Sequence, residues 1–169
     1  MTLPRWSRKG MLLNIALMLP LVLLGGYILW QTTHLIFWLY LSIWLGVLTV
    51  GRYYVCRRCP YYGQDCPTYG WGHLAHVFPK DDTRGFNTRG AMIDYAVIVT
   101  SLLLPVIGWV LSFFDVVADF GTMEHVLMGI YLILAIAVAL VHDVTGCGKC
   151  ELEECPMSKA AKEKKKAVL

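Results

Sequence analysis

The sequence predicts an all-α integral membrane protein, a four-helix bundle built from two repeated helix hairpins with cytoplasmic cysteine motifs. Of the 169 residues, 57% are hydrophobic and only 16% are charged, and the hydrophobic residues fall in four long runs. The basic residues gather at alternate junctions between these runs, and the six cysteines fall in two similar triplets. A soluble enzyme and a disordered tail are therefore excluded.

Each of the apolar runs is long enough to cross a bilayer, for which a helix needs about 17–25 residues. The runs comprise residues 11–30, 34–54, 91–114 and 125–141. Because Arg52 lies near the end of the second run, we expect its side chain to extend to the membrane surface. The first run follows basic residues, as in a signal peptide, but its length and the lack of a small-x-small site predict an uncleaved helix.

The distribution of Lys and Arg predicts the orientation. Three basic residues precede the first run, six lie between residues 52 and 89, six follow the fourth run, and the other two connections carry none. Cytoplasmic loops carry the excess of Lys and Arg. We therefore expect an inner-membrane protein in contact with the lipid bilayer, with both termini and the long central loop in the cytoplasm.

The two halves of the chain resemble one another. Each has a first helix with a Leu-Pro step, at Pro20 and Pro105, and a second helix that ends in a cysteine triplet. Because each half contains two spans, the predicted repeat is parallel, with its axis along the membrane normal. The predicted segments are a cytoplasmic N-terminus, a helix pair with cysteines, an interfacial loop, a second such helix pair and a basic cytoplasmic tail. They comprise residues 1–10, 11–66, 67–90, 91–155 and 156–169.

The cysteine triplets share one pattern, a pair separated by two residues and then a third cysteine followed by proline. They are Cys56, Cys59 and Cys66 in the first half and Cys147, Cys150 and Cys155 in the second. The cytosol keeps thiols reduced, so cysteines clustered at that face are expected to be metal ligands or catalytic thiols rather than disulfides. The sequence therefore predicts a metal site at the cytoplasmic surface.

The sequence leaves the metal open. Proline after the last cysteine of a triplet resembles the ligation pattern of bacterial ferredoxins, which implies an iron–sulfur cluster. The two Cys-x-x-Cys pairs would also enclose zinc with four sulfurs. Cys66 and Cys155 would then be spare thiols or would form a second site with His73 or His76. The pattern slightly favours iron–sulfur over zinc, and thiol–disulfide redox chemistry ranks third.

Several other residues near the cysteines carry expectations. We expect Arg57, Arg58 and Lys149 to hold the thiols deprotonated. His142 is either a further ligand or a polar residue favoured at a helix end.

Two polar residues lie within the spans, and one aromatic segment lies in the central loop. Asp94 is expected near a helix N-terminus in reach of water, and Asn14 is expected to form a hydrogen bond between helices. The segment 71–78 places Trp71, Leu74 and Phe78 at helical spacing, which predicts a short helix at the membrane interface.

The predicted function is electron transfer by an iron–sulfur cluster between a cytoplasmic partner and a lipid-soluble carrier or membrane subunit. The alternatives are a zinc-stapled scaffold or assembly factor without catalysis, and a protein that handles copper(I). The sequence contains no nucleophile–base pair and no phosphate-binding loop, so we propose neither a hydrolase nor a transferase, and whether any catalysis occurs stays open. The basic tail is expected to contact anionic lipid, not nucleic acid.

Overall fold

The structure is a computed structural model, and it describes residues 7–66, 68–114, 120–150, 152–155 and 157–159. All regular secondary structure in these ranges is helical. Among the described residues, four helical segments are long and apolar enough to cross a membrane: Arg8–Thr32, His34–Arg58, Thr88–Ser112 and Thr122–Lys149. The predicted four-helix membrane fold class is confirmed at this level, and most of the basic tail lies outside the described residues.

Six α-helices make up the described chain. They are α1 (Arg8–Thr32), α2 (His34–Gly46), α3 (Arg52–Tyr54), α4 (Trp71–Leu74), α5 (Thr88–Ser112) and α6 (Thr122–Thr145). A π-helical turn, Val47–Gly51, joins α2 to α3, so these elements form one continuous second span. Short 3-10 turns follow at Cys56–Arg58, Ala75–Val77 and Cys147–Lys149.

Helix α1 is the centre of the bundle, because it packs against α2, α5 and α6. Its close neighbours meet at Gly25. The Tyr131 ring, the Tyr40 hydroxyl and the Pro105 ring lie 3.0, 3.1 and 3.2 Å from the position that a Cβ atom would take at Gly25. Only a residue without a side chain lets the other three spanning helices approach α1 this closely.

Two buried tyrosines satisfy backbone carbonyl groups in the helices that contain proline. Pro105 has no N–H, so the carbonyl group of Ser101 loses its usual helical donor. At the adjacent residue, the Tyr131 hydroxyl donates to the Leu102 carbonyl oxygen at 2.6 Å, and in α1 the Tyr40 hydroxyl donates to the Val22 carbonyl oxygen at 3.0 Å. Each bond links a neighbouring helix to a proline-containing span within three residues of its proline.

The π-helical turn decides which residue of the second span points into the bundle. Trp44 and Val47 are buried, and α-helical spacing would next bury residue 51. The wider turn shifts the register by one residue, so Arg52 takes the interior position with only 2% of its surface exposed. The expectation that Arg52 extends to the membrane surface is wrong. Gly51 instead lies directly against the Asp94 carboxylate of α5.

Both cysteine motifs lie at the same end of the bundle, which we call the cysteine end. Here the start of α1 meets the end of α6, where Asn14 Nδ2 donates to Thr145 Oγ1 at 2.8 Å. This bond confirms the expected role of Asn14 between helices. Near the start of α5, Thr88 Oγ1 donates to the Glu154 carbonyl oxygen at 2.9 Å. These two bonds hold the starts of α1 and α5 close to the end of α6 and the segment that follows it.

The contact around Gly25 gives a first test of the fold. Gly25→Leu should destabilise the protein by about 1–3 kcal/mol, because the added side chain overpacks the junction of all four spans. Gly129→Leu is the matched control, since no atom lies within 4 Å of its Cβ position. Thermal unfolding in detergent should show a lower midpoint for Gly25→Leu only. Equal midpoints for the two variants would contradict this packing.

Candidate metal centre

The two Cys-x-x-Cys pairs adopt the same local structure. Each pair begins in a 3-10 turn, and the backbone N–H of the second cysteine donates to the carbonyl oxygen of the first. The N···O distances are 3.1 Å from Cys59 to Cys56 and 3.2 Å from Cys150 to Cys147. Each turn follows the end of a spanning helix, so the two pairs leave the membrane segments in equivalent ways.

All of the cysteines line a single cavity of about 150 Å³ at the cysteine end. We call it the thiol cavity. None of the six cysteines forms a disulfide. The central loop brings Cys66 to the cavity, and the segment after the second pair brings Cys155. The structure therefore brings together every cysteine that the sequence singled out.

The cavity suits a body larger than a single ion. Roughly 10–15 Å³ is enough for one water molecule, and the thiol cavity is several times larger. Thiolate sulfur is the ligand type that iron–sulfur clusters and structural zinc share. The thiols line the walls: within the described ranges, no three His, Cys, Asp or Glu side chains are placed so that they could hold one metal ion. The donor set fits a metal group, and ligation would require the thiols to move closer together.

A buried cation, Arg52, contacts the thiol cavity. Its Nη1 donates to Cys56 Sγ at 3.2 Å, and its Nη2 forms an ion pair with the Asp94 carboxylate. Its Nε donates to the Val47 carbonyl oxygen at 3.1 Å, and the guanidinium lies 3.8 Å from the centre of the Trp71 ring. Since arginine stays protonated in proteins, it places a permanent positive charge beside Cys56.

The other two arginines of this region do not have the role expected from the sequence. Arg57 Nη2 and Arg58 Nε lie 3.5 and 3.0 Å from the Asp81 carboxylate, so they hold the central loop against the end of the second span. Hydrogen bonds from Thr83, together with the Arg58 guanidinium, lower the pKa of Asp81 despite its partial desolvation. The prediction missed this pairing because Asp81 lies far from the triplet in the sequence.

Burial controls the ionisation of the cysteines that lie outside the spans. Desolvation raises the pKa of Cys59, and the neighbouring thiols of Cys66, Cys56 and Cys150 raise it further. Desolvation also raises the pKa of Cys66, against hydrogen bonds from Thr68. Both thiols are therefore neutral at pH 7 without a metal, and binding a metal as thiolates would release protons.

The histidine that lines the thiol cavity is His142 rather than His73 or His76. His142 Nε2 lies 3.5 Å from Cys147 Sγ, and its ring stacks on Tyr69 at 5.0 Å between centres. His73 Nε2 lies 2.9 Å from Asp65 Oδ1, and His76 stacks on Tyr62. A ligand role for His73 or His76 therefore gains no support from their positions.

The aromatic segment that starts at Trp71 differs from its predicted interfacial position. Trp71 is 5% exposed, belongs to the hydrophobic core and lies against Arg52. The α-helix there is a single turn, Trp71–Leu74, and its outer residue Leu74 is exposed. Membrane contact of the Trp71 side chain was therefore a wrong expectation, because this ring closes the wall of the thiol cavity.

Comparison with known proteins adds no family to this geometry. No protein-family model matches the chain, and no curated protein or solved structure matches it significantly. The fold and the site define a multi-pass helical membrane protein with a cysteine-lined cavity at one end of its bundle. The chemistry of the site is then the basis for a function.

The Arg52–Asp94 pair can be tested by removing one charge and then both. Asp94→Leu should cost about 3–5 kcal/mol, because it leaves a buried guanidinium without its counter-ion. The double variant Arg52→Met/Asp94→Leu should recover most of this loss. The readout is the free energy of unfolding in mixed detergent, with Asp82→Leu as the control at an exposed carboxylate. A double variant as unstable as the single one would contradict the pairing.

The lowered pKa of Asp81 predicts an acid-sensitive loop. A carboxyl group with a lowered folded-state pKa contributes its full stabilisation above its ordinary pKa of about 3.9, and this is lost as pH falls through the lowered value. Relative to its rate on an unfolded substrate at the same pH, pepsin should therefore cleave the loop around Asp81 faster as the pH is reduced from 4 to 2. At pH 7, trypsin should cleave Asp81→Asn at Arg84 faster than it cleaves Asp82→Asn. Equal rates for the two variants would refute the role of Asp81.

Proposed function

We propose that the thiol cavity binds an iron–sulfur cluster and that the protein transfers electrons at a membrane surface. Its partners would be a cytoplasmic electron carrier on one side and a lipid-soluble carrier or membrane subunit on the other. The observation that carries this proposal is the convergence of both cysteine triplets on one cavity, although a loop and two spans separate them in the sequence. If the cysteines served only as small apolar side chains in the core, they would not need to line the same cavity.

The residues around the thiol cavity would have different roles in binding the cluster. The two similar turns make Cys56, Cys59, Cys147 and Cys150 the first candidates for cluster ligands. Cys66 and Cys155 would then be spare thiols. A bound iron–sulfur cluster would accept and donate single electrons at a potential set by charge, hydrogen bonding and exposure. Arg52 supplies both a positive charge and an N–H to Cys56 Sγ, which favours the more negative, reduced state. Trp71 covers this side of the cavity and excludes water.

The proposal also includes the orientation and the repeat. The excess of Lys and Arg at the cysteine end supports a cytoplasmic location of that end under the positive-inside rule. The matching 3-10 turns after the second and fourth spans support two hairpins that enter the membrane in the same direction. A site made from both hairpins would depend on their correct association.

A closed zinc site is the second candidate, and the shape of the turns favours it. Paired Cys-x-x-Cys turns with this backbone hydrogen bond are suited to a four-sulfur zinc site. Such a site would staple the end of the second span to the end of the fourth and would supply folding energy without chemistry.

Metal analysis with a visible spectrum on protein purified without air separates these candidates. We expect iron, acid-labile sulfide and a brown colour. Colourless protein with stoichiometric zinc would replace the electron-transfer proposal with the scaffold, and bound copper would indicate metal handling. Protein with no metal and six readily alkylated thiols would overturn both metal sites.

Serine substitutions test whether the two triplets share one site. Cys56→Ser and Cys147→Ser should each reduce the bound iron by more than half, because each removes a ligand from the same cluster. Cys66→Ser is the comparison, and it should retain more iron if that thiol is spare. The measurement is iron per folded protein after size-exclusion chromatography. Unchanged iron in both Cys56→Ser and Cys147→Ser would refute the shared site.

A further inference from the structure

A second cavity of about 540 Å³ lies in the wall between the second span and α5. Its sides are apolar, with Ile43 and Val50 from the second span and Ile93 and Val97 from α5. Val50 and Ile93 are more than half exposed, so this cavity opens on the outer surface of the bundle, where the bilayer lies. We call it the lateral groove. Its volume falls in the range of small-molecule sites, roughly 300–1,000 Å³.

Glycine and the π-helical turn create the space in this groove. Gly46 lines the groove, and no atom lies within 4 Å of the position that its Cβ would take. The π-helical turn, Val47–Gly51, forms the next part of the same wall. A π turn inside a span is rare and is frequent at functional sites. The groove is thus a feature of the backbone, and a longer side chain at residue 46 would fill it without disturbing a neighbour.

The polar groups of the groove gather at the cysteine end. Asn87, Arg89 and Asp94 line the groove there, beside the long apolar walls. Asp94 and Val55 line the thiol cavity as well. The Arg52–Asp94 ion pair and Val55 therefore lie between the two cavities: the guanidinium contacts Cys56, and the carboxylate borders the groove.

We propose that the lateral groove binds an isoprenoid quinone, with the ring at the polar end beside Asp94 and the tail along the apolar walls. The two carbonyl oxygens of a quinone can accept hydrogen bonds from Asn87 and Arg89, and a hydroquinone hydroxyl can donate to a carboxylate. The hydroquinone form can donate a hydroxyl hydrogen to Asp94 while Arg89 and Asn87 donate to the ring oxygens, whereas the ionised phosphate of a phospholipid has no hydrogen to donate and would leave Asp94 without a ligand donor. The choice of a redox-active occupant rests on the proposed electron-transfer function.

The position of the groove explains why the occupant should be this class of molecule. A lipid-soluble carrier must enter from the bilayer, and the groove opens there. Its ring would stop at the wall that the groove shares with the thiol cavity. The substrate end and the thiol end would thus be adjacent without being open to one another.

The test measures binding of decylubiquinone, a short-tailed quinone, to the full chain in detergent micelles. Protein equilibrated with it is passed through a size-exclusion column, and the bound quinone is extracted and quantified. Gly46→Leu should lower the bound quinone by about ten-fold, which corresponds to about 1.4 kcal/mol of binding free energy. Gly129→Leu is the matched control: its Cβ position is equally open, and it lies away from the groove.

The outcomes separate this proposal from the proposed function. Quinone retained by wild type and Gly129→Leu but lost from Gly46→Leu supports the groove. Equal retention in all three proteins, no retention in any, or displacement by an equal concentration of phosphatidylglycerol overturns it. Iron content and the visible spectrum are recorded on the same samples. Quinone binding without iron would refute the proposed electron-transfer function and support the quinone site in the groove. Iron without quinone binding would support the iron–sulfur site and refute the quinone site.

Discussion

The buried ion pair between Arg52 and Asp94 is the interaction on which the rest of the cysteine end depends. Burying a guanidinium inside a membrane bundle is costly unless it is paired and hydrogen-bonded. Here the carboxylate of α5, the Val47 carbonyl oxygen, Cys56 Sγ and the Trp71 ring together surround it. The pair ties the second span to the third, and together with Val55 it lies between the thiol cavity and the lateral groove. Loss of either charge would affect both cavities together.

The π-helical turn and the ion pair depend on one another. The turn moves Arg52 into the interior, and Arg52 Nε in return donates to the carbonyl oxygen of Val47 at the start of that turn. Gly51 leaves the space that the Asp94 carboxylate occupies. The contacts of Gly51, Arg52 and Asp94 therefore account for the π-helical turn at this point of the second span. The π-helical turn also forms part of the wall of the lateral groove. One local change in helical register therefore both places the Arg52 side chain in the interior and shapes the groove.

The sequence predicted the four spans and the interhelical role of Asn14 because these depend on composition and on one side chain among apolar neighbours. It placed Arg52, Arg57, Arg58 and Trp71 wrongly, since their contacts depend on a register shift and on a loop that returns to the second span. One signal was available: an arginine and an aspartate stand in two apolar runs, and intramembrane charges usually pair with one another. The choice of His142 over His73 and His76 required knowledge of where the central loop turns.

The two Cys-x-x-Cys turns share the same backbone hydrogen bond but have different electrostatic surroundings. Cys56 receives an N–H from a permanently charged arginine, whereas Cys147 lies beside the imidazole of His142. At the place in the second half that corresponds to Arg52, the chain has Asp143. A zinc staple would gain nothing from this difference, because four equivalent thiolates already satisfy a tetrahedral ion. A centre that exchanges electrons with different partners on two sides benefits from unequal surroundings, since charge and hydrogen bonding set its potential. The asymmetry at Arg52, on the side of the lateral groove, would therefore suit the proposed redox centre.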